Sequence, residues 1–331
     1  MKAAIYGAGA MGTVLGAFIC AAGKQVDLIS RNRAHVAALN ENGAEIFGGA
    51  NFRAKVNALT PDAVCGKYGV IFFMTKQGGQ DLSFLNGMLE ENGVVCTLQN
   101  GLPEGAVIEA VGADRCLGCA VSWGATFAGN GRAELTSNRN KMTFALGSPV
   151  GKNPKTAIVR EYLSCAGKVT VTDNLNGARW AKLSLNCAFS GLSAVCGMTF
   201  GDVGKNKITR ILALELMNEA FAAAKKSGVK FEKIQGHCVD RLFSYGNGFK
   251  KRIALALLPF AMRNHKKLIS GMYFDLSAKK PCEINYINGA VSAAAEKAGT
   301  PSPLNDKICR IAREIETGDR RICFENVFLL R

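Results

Sequence analysis

Lys182, Asn186 and Ser190 put an amine, a carboxamide and a hydroxyl at i, i+4 and i+8 of one segment, Arg179-Trp-Ala-Lys-Leu-Ser-Leu-Asn-Cys-Ala-Phe-Ser190. On a helix that spacing is a single stripe. The stripe is polar and the rest of the segment is largely apolar, so the lysine is expected to be partly withdrawn from water. Desolvation disfavours an ammonium and brings its pKa toward the range of a general acid. Spacing alone equally allows a lysine that reaches out to solvent at a domain seam. A second chemical pattern lies at the N-terminus, Gly7-Ala8-Gly9-Ala10-Met11-Gly12. Its glycine spacing suits a dinucleotide: the first allows a tight turn, the second admits a pyrophosphate to the backbone, and the third lets helix and strand pack closely.

These residues need particular elements to hold them. Residues 2–6 read as a buried strand, 13–22 as an apolar helix closed by Gly23, and 25–30 as a second strand, which together make a βαβ unit. The helix would then present its amide end to the phosphates. The alternation continues with a helix at 33–42, a strand at 70–74, a helix around 80–90, a strand at 94–98 and a helix near 104–111. Residues 117–126, 133–136 and 141–146, separated by Gly129-Asn-Gly131 and 137–140, read as an antiparallel extension of the sheet. A helix at 154–167 and a strand at 168–172 complete this half. From 175 onward the periodicity is helical: 180–195, 207–227, a poorly bounded stretch within 231–265, 283–298 and 305–316, with Gly228 and Gly299 at helix ends. The expected organisation is an α/β Rossmann-type domain over 1–174 and an all-α domain over 175–331.

Cofactor choice falls to the end of the second strand. An acid there would bind the adenosine ribose of NAD and repel a 2′-phosphate. Asp27 lies inside the strand, and its end reads Ser30-Arg31-Asn32-Arg33. Arg31 suits a bidentate grip on a 2′-phosphate, with Ser30 or Arg33 assisting, so NADP(H) is expected.

Composition narrows the class. At 331 residues the chain fits two domains of roughly 150. With 48% apolar residues it is not a disordered chain. Residues 3–23 are uncharged and resemble a targeting segment or a span, but Gly7, Gly9, Gly12 and Gly16 argue against both, and no membrane partner is expected. Twelve cysteines scattered in apolar runs suggest a reduced, cytoplasmic protein rather than a disulfide scaffold. Cys116 and Cys119 form a lone C-x-x-C without a second pair at zinc spacing, so no metal site is expected. The net charge of +15 favours anionic partners. With only 8% aromatic residues, nucleic acid is disfavoured as that partner.

In their order these motifs resemble the ketopantoate reductases (2-dehydropantoate 2-reductases) over nearly the full length. The matching residues are Gly7 to Gly12, Arg31, Lys76-Gln77, Gln99-Asn100-Gly101, Lys182-Leu-x-x-Asn186, Met272-x-x-Asp275, Glu283-Ile-Asn-Tyr-Ile-Asn288-Gly289 and Thr300-Pro-x-Pro303. The resemblance implies a Rossmann domain joined to a helical domain like that of 6-phosphogluconate dehydrogenase, with the site between them. It implies reduction of ketopantoate to pantoate, in pantothenate and coenzyme A biosynthesis, with hydride from NADPH. Lys182 then resembles the lysine that protonates the carbonyl oxygen, and Glu283 the acid that helps hold cofactor and lysine. Asn100 resembles the loop residue touching cofactor and substrate. Lys76 resembles the partner of Arg31, and Ala125 a residue lining the nicotinamide side. Asn186, Ser190 and Ser270 fall at substrate positions.

Three positions depart from the family pattern. Ser190 stands where an Asn is usual, Phe200 stands before Gly201 where an Asn is usual, and Gly271 stands where a Ser is usual, with Ser270 one place earlier. All three concern substrate recognition, so the alternatives are a different 2-oxo acid or an imine as substrate. An NADP-binding regulator without turnover is the alternative of another class, against which Lys182, Glu283 and Asn100 count. Nothing in the helical half decides between a monomer and a homodimer.

Overall fold

The structure is a computed structural model and describes residues 1–330; Arg331, the last residue of the expected helical half, lies outside the described residues. The chain forms two compact units, one of Met1–Gln99 with Pro103–Leu175, the other of Asn100–Leu102 with the chain from Asn176 onward.

In the first unit β1 (Ala3–Tyr6) leads through the glycine turn into α1 (Ala10–Ala21), which returns to β2 (Asp27–Ile29), parallel to β1. After α2 (Arg33–Asn42) come three short strands, β3 (Ala44–Gly48), β4 (Phe52–Ala54) and β5 (Asn57–Leu59). Then follow β6 (Tyr68–Phe73), α3 (Phe84–Met88), β7 (Leu89–Thr97), α4 (Glu104–Val111) and β8 (Cys116–Val121). The unit continues with β9 (Ala125–Phe127), β10 (Arg132–Leu135), β11 (Thr143–Gly147), α5 (Thr156–Ser164) and β12 (Lys168–Val171). The main sheet has eight strands in the order β12-β11-β8-β7-β6-β1-β2-β5. Every pair in it is parallel except β8 with β11.

Such a sheet must be covered on both faces, which is why its central strands are nearly continuous apolar runs. Ile5, Val70 and Phe72 pack with Val14 and Leu15 of α1 on one face. Ala4, Ile71 and Phe73 pack with Leu85 and Val107 of α3 and α4 on the other. From β1 the chain steps to β2 on one side and later to β6 on the other. The carboxyl end of β1 is therefore the topological switch point, where open α/β sheets bind ligands.

In the first unit the structure corrects the sequence expectation in three places. The helix expected around 80–90 is only α3, because a Ser83–Asp81 turn precedes it and residues 89 and 90 already belong to β7. Three strands within 44–59 were not expected. The antiparallel extension holds only for β11: β8 pairs parallel with β7, while β9 and β10 leave the main sheet. They join a second sheet of order β4-β3-β10-β9, where β10 runs parallel to β3. A three- or four-residue strand carries the same alternation in either sheet, so only the long-range partner decides.

The second unit is helical: α6 (Leu175–Cys196), α7 (Phe200–Lys205), α8 (Lys207–Lys226), α9 (Val239–Phe243), α10 (Gly248–Ala261), α11 (Gly271–Ser277), α12 (Ile284–Lys297) and α13 (Pro303–Thr317). Its core joins Leu183, Phe189 and Leu192 of α6 to Leu214 and Phe221 of α8, Val291 of α12 and Ile308 of α13. Among the described residues no helix is long and apolar enough to cross a membrane.

Candidate active site

The glycine turn is built by packing. Gly7 has φ of 107°, a left-handed conformation that disfavours a side chain, and a Cβ there would lie 2.5 Å from the backbone nitrogen of Thr75. The amides of Gly7 and Ala8 both donate to the Ile29 carbonyl, at 3.0 and 2.9 Å, tying the turn to the end of β2. A Cβ on Gly12 would lie 2.6 Å from the Gly7 carbonyl oxygen. Gly9 differs, since a Cβ there would meet no atom within 4 Å. Protein packing therefore does not require the glycine, and the space over the turn is open to a bulky group. Ala8 is fully buried and Met11 packs against the core, so Ala10, Met11 and Gly12 offer mainly their backbone amides. No side chain caps α1 and no acid occupies its first turn, so its positive end is uncompensated. These features fit a dinucleotide pyrophosphate.

Arg31 follows β2 and is exposed. Its guanidinium makes no hydrogen bond or ion pair among the described residues; its charge acts on the nearby Tyr6 phenol, whose pKa burial raises and Arg31 partly restores. Arg33, by contrast, is held by Asp62 at 3.1 Å. Asp27 begins β2, at the opposite edge of the sheet from the glycine turn. There its carboxylate accepts from Tyr68 Oη at 2.9 Å and Asn57 Nδ2 at 2.8 Å and pairs with Lys2 at 3.0 Å. Lys76 is exposed two residues beyond Met74 in the turn after β6, and the neighbouring Thr75 carbonyl accepts from Gln99 Nε2 at 2.9 Å. Ala125 begins β9 and packs against the core; the preceding Gly124 amide is held by Ser137 Oγ at 2.9 Å.

Within the second unit, Lys182 Nζ donates to Asn100 Oδ1 at 2.7 Å, bringing together residues 82 positions apart. Lys182, Asn186 and Ser190 are all half-buried on α6. The side chains of Asn186 and Ser190 make no hydrogen bond among the described residues. Glu283 occupies the N-cap position of α12, half-buried; its carbonyl accepts from the Tyr286 amide, and its carboxylate does not cap the helix. Ser270 is placed differently. It is 4% exposed, its hydroxyl caps α11 through the Met272 amide at 3.3 Å, and its own amide donates to Ser193 Oγ at 3.0 Å. A Cβ on the adjacent Gly271 would meet nothing within 4 Å. Phe200 packs against the core with its ring 6.0 Å from that of Phe189.

Cys116 and Cys119 are both buried in β8, but their side chains belong to opposite faces of the sheet, as a three-residue separation on a strand requires. They cannot form a vicinal redox pair. Among the described residues no three His, Cys, Asp or Glu side chains gather as a metal site. His35 was missed. It is buried at the start of α2, beside the glycine turn, and bonds to Thr13 and Gly131. The readable signal was Asn32, whose side chain caps α2 through the His35 amide and so fixes His35 in the first turn.

Comparison with known proteins finds two family models in register with the two halves of the chain. Residues 3–148 match "Ketopantoate reductase PanE/ApbA", and residues 174–316 match "Ketopantoate reductase PanE/ApbA C terminal". A 2-dehydropantoate 2-reductase of Pyrococcus horikoshii is 28% identical over 311 residues, covering 92% of this chain and 94% of the relative. The crystal structure of a PanE/ApbA family ketopantoate reductase from Ralstonia eutropha superposes with a TM-score of 0.79 at 25% identity, covering 97% of this chain and all of the other. D-mandelate dehydrogenase, solved with NADH and anilino(oxo)acetate, shares the fold with a TM-score of 0.80 at 22% identity over 96% of this chain and 99% of the other.

Proposed function

The chain belongs to the ketopantoate reductase family and is a 2-dehydropantoate-reductase-like oxidoreductase, and from that premise we propose that it reduces 2-dehydropantoate to pantoate with NADPH. In this reading it serves pantothenate and coenzyme A biosynthesis. The observation that carries it is the Lys182 ammonium held at 2.7 Å by Asn100 Oδ1, at the head of a half-buried stripe whose other polar groups, Asn186 and Ser190, have no protein partner among the described residues.

The first unit supplies the nucleotide site of this proposal. The amides of Ala10, Met11 and Gly12 hold the pyrophosphate, and Arg31 with Lys76 holds the adenosine 2′-phosphate. NADP is preferred to NAD because Arg31 is exposed, with no hydrogen-bond or ion-pair partner among the described residues, and Asp27 is committed elsewhere. When bound, NADPH supplies the hydride. Lys182 holds a proton at Nζ and delivers it to the carbonyl oxygen, while its positive charge stabilises the alkoxide that develops there. Asn100 orients that ammonium by accepting one of its hydrogens. Asn186 and Ser190 bind the carboxylate and hydroxyl of the substrate, and Glu283 helps hold cofactor and lysine.

Purified protein mixed with NADPH and ketopantoate tests the reading through loss of the reduced nicotinamide absorbance. Lys182→Ala should lower kcat by about 10²- to 10⁴-fold while NADPH affinity stays within about threefold. Turnover retained in that variant would sink the mechanism.

A second reading has its own observation. Gly271 leaves open space where the family pattern has a serine, and Phe200 adds an apolar wall in place of an amide. Both favour a bulkier 2-oxo acid, since a missing polar partner changes discrimination strongly. Comparing kcat/KM for ketopantoate and for an aryl-substituted 2-oxo acid separates the two readings.

A further inference from the structure

We propose that His35 is a positioning residue of the dinucleotide site, a neutral hub that fixes the glycine turn, the Arg31 turn and the β9–β10 hairpin against one another. The proposal rests on the reading of this unit as a nucleotide site. The ring is 1% exposed. The Gly131 amide, in the turn between β9 and β10, donates to Nδ1 at 2.9 Å. Nδ1 therefore carries no proton, and Nε2 is the protonated nitrogen that donates to Thr13 Oγ1 in α1 at 3.0 Å. The Ala8 carbonyl of the glycine turn also faces the ring. Phe127 of β9 meets it edge-on with centroids 5.1 Å apart. On the main chain, the His35 amide donates to Asn32 Oδ1 at 3.1 Å, in the residue directly after Arg31. The imidazole thus joins the pyrophosphate turn and α1 to the hairpin that begins at Ala125, while the backbone amide of the same residue holds the turn that carries Arg31.

This arrangement works for only one protonation state. A charged ring would set an Nδ1 proton against the Gly131 amide proton, donor against donor, and release the hairpin. Burial lowers the pKa of His35, which keeps the ring neutral near pH 7. The Ala8 carbonyl, which accepts from the ring, opposes this in part, and burial outweighs it. α1 has no charged residue, and on the other elements Arg33 is paired with Asp62 and Arg132 with Glu45, while Arg31 stands four residues before His35 in the chain. Nucleotide affinity should therefore be full above the ordinary histidine range and fall as the pH drops below it.

The test measures binding of NADPH and of NADH to the full chain by nicotinamide fluorescence between about pH 5 and 8, without any oxo acid. NADH serves because it lacks the 2′-phosphate, which titrates in the same range. Wild type should lose affinity for both cofactors at the acid end. His35→Leu should bind both about tenfold or more weakly at pH 8 while kcat at saturating cofactor changes less than threefold. His35→Gln, which can accept and donate but not titrate, should restore much of the affinity and lose the acid decline with NADH. Thr13→Val removes one bond only and should weaken binding about two- to fivefold, which keeps the test open if His35→Leu fails to fold. Unchanged affinity in His35→Leu and Thr13→Val, or an acid decline that persists in His35→Gln, would overturn the proposal. Wild type that binds neither cofactor would instead overturn the nucleotide reading beneath it.

Discussion

Arg31 and Arg33 stand two residues apart and have different fates. Arg33 is spent on Asp62, while Arg31 projects from the end of β2 without a protein partner among the described residues. If Arg31 grips the 2′-phosphate, Arg31→Ala should weaken NADPH by about tenfold or more and NADH by less than about threefold. Equal losses in the two dissociation constants would defeat the NADP assignment. Gly271 makes a second residue-scale prediction. A side chain there meets open space, so Gly271→Ser should leave the melting temperature within about a degree or two. The same change should lower KM for ketopantoate if that is the substrate; a KM that rises would favour the bulkier 2-oxo acid. Both positions were legible in the sequence, Arg31 from its place after a strand and Gly271 from the neighbouring Met272 motif. What became of Ser270 was not legible, because its hydroxyl turns inward to cap α11.

At the scale of elements, four helices of the second unit are joined through a chain of polar contacts inside an apolar core. Asn288 of α12 donates to the Cys187 carbonyl of α6 and to Asn305 Oδ1 of α13, both at 2.9 Å. Asn305 in turn donates to Glu219 of α8 at 2.7 Å, and the same carboxylate accepts from the Leu304 and Asn305 amides at 2.9 and 3.0 Å. Glu219 thus caps α13 from outside the helix, and burial raises its pKa against the pull of those hydrogen bonds. Glu219→Ala would strand two helix-end amides and the Asn305 amide group, at a cost of about 1–3 kcal/mol. Urea unfolding should show this as a lower midpoint, and an unchanged midpoint would count against the cap. The helix of Asn288 was plain from its periodicity, and its N-G pair matched the family motif. The partners 17 and 101 residues away left no local trace.

For the whole molecule, the charge is the feature the fold explains least. Of the 26 acids, Glu45 serves both Arg53 and Arg132, Glu314 serves Arg310 and Arg320, and Asp62 serves Arg33. With 41 cations against 26 acids, the surplus of 15 cannot be matched one to one by acids of the chain, and exposed charges act through a screened field. KM for NADPH should therefore rise several-fold between about 50 and 500 mM salt, and KM for NADH by less. Equal salt dependence would place the surplus charge outside the nucleotide site.

The sequence alone determined whatever is encoded over a few turns or by a contiguous motif. The glycine turn between a strand and an apolar helix, the Lys182-Asn186-Ser190 stripe and the periodicity of α8, α12 and α13 are of that kind. Tertiary structure alone decided what depends on a distant partner. It took β9 and β10 into a second sheet, where they pair with each other and β10 with β3. It put Cys116 and Cys119 on opposite faces of β8, gave Lys182 its acceptor in Asn100, and set His35 between Thr13 and Gly131. The physical reason is the same in each case. Helical periodicity and turn chemistry are local, whereas strand pairing and buried hydrogen bonds join residues whose separation along the chain, 101 positions for Asn288 and Cys187, leaves no pattern in the sequence between them.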